Sequence, residues 1–303
     1  MAHIYIFSPS SAVRDKAAFR RGLKRLKALG HEVEVDEAAM ASHMRFAGDD
    51  ATRIAAIGRA AASGADVALI SRGGYGLTRI MAQLPYKAIA KAIDGGTQFV
   101  GLSDFTAFNQ AVLAKTGRIT WQGPALGEDF GSEADPDDIM LACFEDLLAE
   151  QGEGTGWQRP KAEAVVQARV KDGMLWGGNL AVLTSMLGTP YLPQIDKGVL
   201  FLEDVGEHPY RIERMLTQWL HAGVLARQKA IVLGQFSRYQ LVPAHDKGFN
   251  FSTVVHWLRS QIKTPVLTGL PFGHVPTKVL LPVGAKVELV TDARDALIVW
   301  GHI

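Results

Sequence analysis

Ser103 lies in Gly101-Leu-Ser-Asp-Phe105, between the apolar pair Phe99-Val100 and a helix-like stretch from Thr106 to Lys115. This order predicts a sharp strand-to-helix turn that presents one hydroxyl. Helix N-termini offer free N–H groups and the positive end of the peptide dipole, so such a turn can activate a nucleophile and stabilise the oxyanion it creates. A serine nucleophile also needs a base to take its proton and a third group to hold that base in one tautomer. Of nine histidines, His274 is favoured as the base. It follows Pro265-Val-Leu-Thr-Gly-Leu-Pro-Phe-Gly, just past a short apolar strand and in a loop stiffened by Pro271 and Pro276. Rigid loops after strands hold catalytic groups well. His208, beside a helix start, and His245, in a polar loop, are the other candidates. The remaining six read as packing or surface residues.

For the third group, Leu200-Phe-Leu-Glu203-Asp204 ends an apolar strand in two carboxylates. Burying a carboxylate is costly unless it is paired, so a charged partner is implied. Glu203 or Asp204 could hold an imidazolium, and Glu207 is near enough to compete. Capping of the helix that opens at Pro209 is an equally good reading of Asp204 and Glu207. Arg72-Gly-Gly-Tyr-Gly76 follows the strand-like Val67-Ala-Leu-Ile70, and backbone N–H groups of such a loop can face a bound anion or a developing oxyanion. It lacks the Gly-Lys-Ser/Thr ending of a phosphate loop, and its glycines do not match dinucleotide spacing. A tight turn would explain it equally well.

The elements that must position these residues alternate. Ile4–Phe7, Glu32–Val35, Val67–Ile70 and Phe99-Val100 read as strands, separated by helical patterns at Asp15 to Leu29, Asp50 to Ala62 and Thr78 to Ile93. Strand and helix in this order predict an α/β fold whose parallel sheet is covered by helices on both faces. Functional loops of such sheets gather at the carboxyl ends of the strands, where both Ser103 and the glycine loop fall. The polar, glycine-rich Gln151-Gly-Glu-Gly-Thr-Gly156 reads as a linker. It divides residues 1–155, an α/β nucleophile domain, from residues 156–303, a β-rich domain. The latter opens with a predicted hairpin, Ala164 to Val170 and Met174 to Trp176 about a Lys171-Asp-Gly173 turn. Strands follow at Val199–Leu202, Ala230–Leu233, Val266-Leu267, Val279–Leu281, Val287–Val290 and Ala296–Trp300, with a helix from Pro209 to His221.

Lysine and arginine (32) nearly balance aspartate and glutamate (31), and 48% of the residues are apolar. That balance gives no field to draw in nucleic acid or an acidic membrane surface. Cys143, the only cysteine, sits at helical apolar spacing and reads as a buried, inert core thiol. It excludes a disulfide framework or a cysteine zinc site. The amino-terminal residues lack a basic flank with a long apolar core, and no apolar run approaches about 18 residues. The chain is therefore read as cytoplasmic.

Six blocks together resemble the LD-carboxypeptidase family, the muramoyltetrapeptide carboxypeptidases: Arg72-Gly-Gly-Tyr-Gly76, Gly101-Leu-Ser-Asp-Phe-Thr106, Gly123-Pro124, Gly177-Gly-Asn-Leu180, Leu200-Phe-Leu-Glu-Asp204 and Pro271-Phe-Gly-His274. They run in order along most of the chain. The resemblance implies a serine peptidase with Ser103 as nucleophile, Glu203 as orienting acid and His274 as general base, needing no metal or other cofactor. It implies a homodimer that releases the terminal D-alanine from cytoplasmic peptidoglycan tetrapeptides during recycling of the cell wall, so the partner is a small muropeptide. The backbone N–H groups of Gly74 and Asp104 are the expected oxyanion donors, and Arg72 and Gly73 the expected contacts of the substrate carboxylate. One departure is Gln122, in Thr120-Trp-Gln-Gly-Pro124, where many relatives carry histidine. If that position touches substrate, the preference changes. The alternatives are the microcin C immunity branch, which cleaves an acyl-sulfamoyl-adenylate with the same triad and would need an aromatic shelf such as Trp121 or Trp176, and a non-catalytic small-molecule binder.

Overall fold

The structure, a computed structural model, describes residues 1–161 and 166–303. In chain order the strands are β1 (His3–Phe7), β2 (Glu32–Val35), β3 (Val67–Ile70), β4 (Gln98–Gly101), β5 (Thr120–Gln122), β6 (Gly154–Gln158), β7 (Arg169–Asn179), β8 (Val199–Val205), β9 (Ala230–Ser237), β10 (Val266–Leu267), β11 (Leu281–Val283), β12 (Lys286–Asp292) and β13 (Asp295–Val299). The helices are α1 (Lys16–Ala28), α2 (Asp50–Ala62), α3 (Leu77–Ile80), α4 (Tyr86–Asp94), α5 (Phe105–Thr116), α6 (Asp138–Leu148), α7 (Leu180–Ser185), α8 (Pro209–His221), α9 (Pro243–Asp246) and α10 (Phe251–Gln261).

Two compact units result. The first comprises Met1–Gln151, Gly188–Pro193 and Pro276–Gly284, and the second Gly152–Leu187, Gln194–Val275 and Ala285–Ile303. The division falls inside the predicted linker, whose last residues already pair as β6. Two later segments return to the first unit, one of them because β11 pairs antiparallel with β5.

The sheet of the first unit has the order β11-β5-β4-β3-β1-β2. It is parallel from β5 to β2. All four residues of β3 are buried, as a strand covered on both faces requires. Asp15 caps α1 by accepting from the Ala18 N–H, and Asp49 caps α2 by accepting from Thr52. Helix α5 is buried from Phe105 through Leu113 and ends at Gly117 in the left-handed region, the usual helix stop. The single helix predicted over Thr78 to Ile93 is broken into α3, a 3₁₀ turn at Met81–Gln83, and α4. Pro85 explains the break: it forces the preceding Leu84 to extended backbone, ψ 141°, and supplies no N–H.

The second unit is built on a sheet of order β10-β9-β8-β7-β12-β13-β6. From β10 to β7 it is parallel, with α7, α8 and α10 in the crossovers. From β7 to β6 it is antiparallel. The predicted hairpin is not formed. Residues 162–165, which include its Ala164-Val165 start, lie outside the described residues, and Arg169 to Asn179 run as one strand. Lys171-Asp-Gly173 is absorbed as a bulge, with Asp172 at φ +54° and a register shift against β12 between Val287 and Leu289. A left-handed residue within a bulge re-aims a strand without reversing it.

Candidate active site

Strand β4 delivers Ser103 into the turn before α5 at φ +67°. A non-glycine residue there is strained, and such strain concentrates at functional turns. Gly73 explains how the hydroxyl is accommodated: a methyl group added there would lie 2.6 Å from Ser103 Cβ and 3.0 Å from its Oγ. Only a glycine lets the two loops approach so closely. The glycine loop is pinned in turn by Ser11, whose Oγ accepts from the Tyr75 N–H at 3.0 Å.

Asp104 turns its side chain inward. Its buried carboxylate accepts from Ser10 Oγ at 2.8 Å and the Leu77 N–H at 2.9 Å. Burial pushes this carboxyl up, against the opposing pull of those bonds and of Arg53. The bonds tie the Ser103 turn to the loop after β1 and to the start of α3.

Arg72 is half-buried, donating from Nη1 to the Ala12 carbonyl at 3.1 Å. It lines a cleft of about 240 Å³ with Arg14, Asp15, Phe19, Gly127 and Glu128. Gln122 has no exposed surface. Its amide nitrogen donates to Thr106 Oγ1 and Asn109 Oδ1, both at 2.9 Å. It braces α5 through this nitrogen, while its Oε1 is buried with no hydrogen-bond partner among the described residues.

The second unit carries the acid and the imidazole. Glu203, fully buried near the carboxyl end of β8, accepts from His274 Nδ1 at 2.8 Å through Oε2. With Nδ1–H donated to a carboxylate, Nε2 is the nitrogen able to accept a proton. The other Glu203 oxygen accepts from Asn179 Nδ2 at 3.1 Å, and the same amide reaches Asp204 Oδ1 at 3.0 Å. Asp204 is pushed up to about 7 by burial first and by the neighbouring Glu203 charge second.

These contacts separate the three acids. Glu203 holds the imidazole. Asp204 accepts from the Ala181 N–H at 2.8 Å, so it does serve a helix N-terminus, but that of α7. Glu207 pairs with Arg211 at 3.6 Å, and α8 is capped by His208, whose Nε2 lies 3.2 Å from Asp246.

Sequence reasoning passed over Asn179. The signal was present in Gly177-Gly-Asn-Leu180: an amide after two glycines at a strand's carboxyl end. The glycine is needed: Gly177 has φ +142°, and a Cβ there would meet the Phe201 carbonyl oxygen at 1.9 Å. A second missed pair, Lys278 with Asp129, is buried and spans 149 residues, so nothing local announces it. Neither proposed aromatic shelf is exposed. Trp121 and Trp176 are buried, with their indole N–H groups given to Gln98 and Gln228. Cys143 is half-buried rather than buried, and burial pushes its thiol up. No helix among the described residues is long and apolar enough to cross a membrane.

Comparison with known proteins agrees with these halves. Residues 4–123 match the LD-carboxypeptidase N-terminal domain and residues 172–289 the LD-carboxypeptidase C-terminal domain. A Bacillus subtilis protein named a probable murein peptide carboxypeptidase is 31% identical over 298 residues, covering 98% of this chain and 91% of the relative. The microcin C7 self-immunity protein of Escherichia coli is 28% identical over 248 residues, covering 74% and 70%. The crystal structure of a muramoyltetrapeptide carboxypeptidase from Oxalobacter formigenes has a TM-score of 0.87 at 39% identity, covering 99% of this chain and 98% of that one. The chain belongs to the LD-carboxypeptidase family, and it is a serine-type enzyme of that class.

Proposed function

We propose that the enzyme removes the terminal D-alanine from peptidoglycan tetrapeptides in the cytoplasm, as part of cell-wall recycling, through Ser103, Glu203 and His274. The observation that carries this reading is the buried Glu203 carboxylate holding His274 Nδ1 at 2.8 Å, in a chain of a carboxypeptidase family whose Ser103 stands at φ +67° in the turn before α5. His274 Nε2 takes the Ser103 proton while Oγ bonds to the carbonyl carbon of the penultimate residue. As the tetrahedral intermediate collapses, the amide C–N bond breaks and the imidazolium returns that proton to the departing D-alanine amine. Water, deprotonated by His274, then attacks the acyl-enzyme, the ester bond breaks, and Ser103 regains its proton. Backbone N–H groups of Gly74 and Asp104 receive the oxyanion, and Arg72 receives the substrate's terminal carboxylate. The functional assembly is a homodimer.

The test is mass spectrometry of products from tri-, tetra- and pentapeptide stems, with and without the attached sugar. Release of one D-alanine from the tetrapeptide, with the tripeptide inert, is the expected outcome. Cleavage of an acyl-sulfamoyl-adenylate with no turnover of any peptide would overturn the assignment.

A further inference from the structure

We propose that Lys278 is a positioning residue for the general base, anchoring the chain that leaves His274 onto the unit that carries the nucleophile. This rests on the role given to His274 above. Directly after His274-Val-Pro276 the chain is held at three places within the first unit. Thr277 Oγ1 donates to Asp137 Oδ2 at 2.6 Å, Lys278 Nζ pairs with Asp129, and Leu281 to Val283 form β11 against β5. Four residues of fully extended chain reach at most about 14 Å, so an anchor at Lys278 limits where the imidazole can be.

Both partners of the Lys278 pair are buried, and the pair does more than hold a strand. Asp129 also accepts from the Ala125 N–H at 2.8 Å through its second oxygen. It belongs to the wide turn Leu126–Phe130, closed by Gly131 N–H to Leu126 O at 2.7 Å. Turns of this π type recur at functional sites, and here Gly127 and Glu128 line the cleft beside Arg72. One lysine thus ties the chain of the base to the wall of that cleft.

Stability alone gives no reason for a charged pair at this place. Removing two ions from water costs about as much as their attraction returns, and well-packed apolar residues of similar volume do as well or better. What an ion pair adds is a single permitted register, since Lys278 has one acceptor to meet and any slip leaves two buried charges unpaired. Misplacement of a reacting group by about 1 Å can cost on the order of a hundredfold in rate.

The experiment compares the parent enzyme with Lys278→Met, Lys278→Arg and Asp129→Asn, measuring kcat and KM on the tetrapeptide, thermal unfolding, and labelling of Ser103 by a fluorophosphonate. Lys278→Met is expected to unfold cooperatively, to lose about a hundredfold in kcat with KM within about threefold of the parent, and to label more slowly. Lys278→Arg, which keeps the charge, is expected to recover part of that loss. A folded Lys278→Met enzyme with kcat within twofold of the parent would overturn the proposal. If Lys278→Met does not fold, Asp129→Asn decides by the same criteria, because its one amide oxygen can still accept from the Ala125 N–H while its NH2 group cannot accept from Lys278. A parent that neither turns over peptide nor labels at Ser103 defeats the functional reading itself, and the positioning role falls with it.

Discussion

His274 and Glu203, 71 residues apart in sequence, meet through a 2.8 Å hydrogen bond on a carboxylate with no exposed surface. A buried acid in that place fixes the tautomer as well as the orientation of the ring, because only Nδ1–H satisfies it. Glu203→Gln presents an amide that can donate to Nδ1 and favour the wrong tautomer. The expected result is a kcat about 10⁴-fold lower with KM little changed, read by steady-state kinetics. A loss of under tenfold would mean the acid does not set the state of the base.

Gly73 is the steric counterpart of Ser103. Gly73→Ala brings a methyl group to 2.6 Å from Ser103 Cβ, inside van der Waals contact, so the turn or the loop must shift. Turnover is expected to fall about a hundredfold, with fluorophosphonate labelling of Ser103 slowed in parallel and cooperative unfolding retained. Undiminished labelling would show that the loop gives way without disturbing the hydroxyl.

The positive φ of Ser103, +67°, costs stability that glycine would not lose. Ser103→Gly and Ser103→Ala both lack the hydroxyl and are both expected to be inactive. Thermal unfolding separates them: the glycine variant is expected to be more stable than the alanine variant by about 1 kcal/mol. Equal midpoints would mean the turn relaxes once the side chain is gone.

The strand-to-helix turn at Ser103 was readable because Gly101-Leu-Ser-Asp-Phe105 joins a strand pattern to a helix pattern within a few residues. The parallel sheet was readable for the same reason, as alternation is a local property. The choice among Glu203, Asp204 and Glu207 was not readable from the residues themselves, since it depends on which one meets His274 and which meets the start of α7. Asn179, joining two carboxylates, and Lys278, paired across 149 residues, depend wholly on tertiary contact. Gln122 is similar: its hydrogen-bonding capacity was visible, but the α5 side chains that take its N–H groups, Thr106 and Asn109, could be identified only after folding. The false hairpin at Lys171-Asp-Gly173 shows that turn residues serve a bulge equally well.

Asp204, raised to about 7 in the folded protein, makes a prediction about pH and stability. An unfolded aspartate titrates near about 3.9, so between roughly pH 4 and 7 the folded state holds a proton that the unfolded state has released. Stability from this group is therefore full below that window and falls as pH rises through it, by on the order of a few kcal/mol. Chemical denaturation at pH 5, 6, 7 and 8 should show this decline, and Asp204→Asn should flatten it. An unchanged slope in the variant would assign the decline to other groups.

If Ser103 and His274 act as one unit, removing either should cost nearly as much as removing both. The direct measurement is kcat on the tetrapeptide for Ser103→Ala, His274→Ala and the double variant. Each single change is expected to lower kcat by about 10⁴-fold or more, with the double variant within a few-fold of the singles. Losses that multiply in the double variant, or a single variant that retains near-parental turnover, would contradict the account.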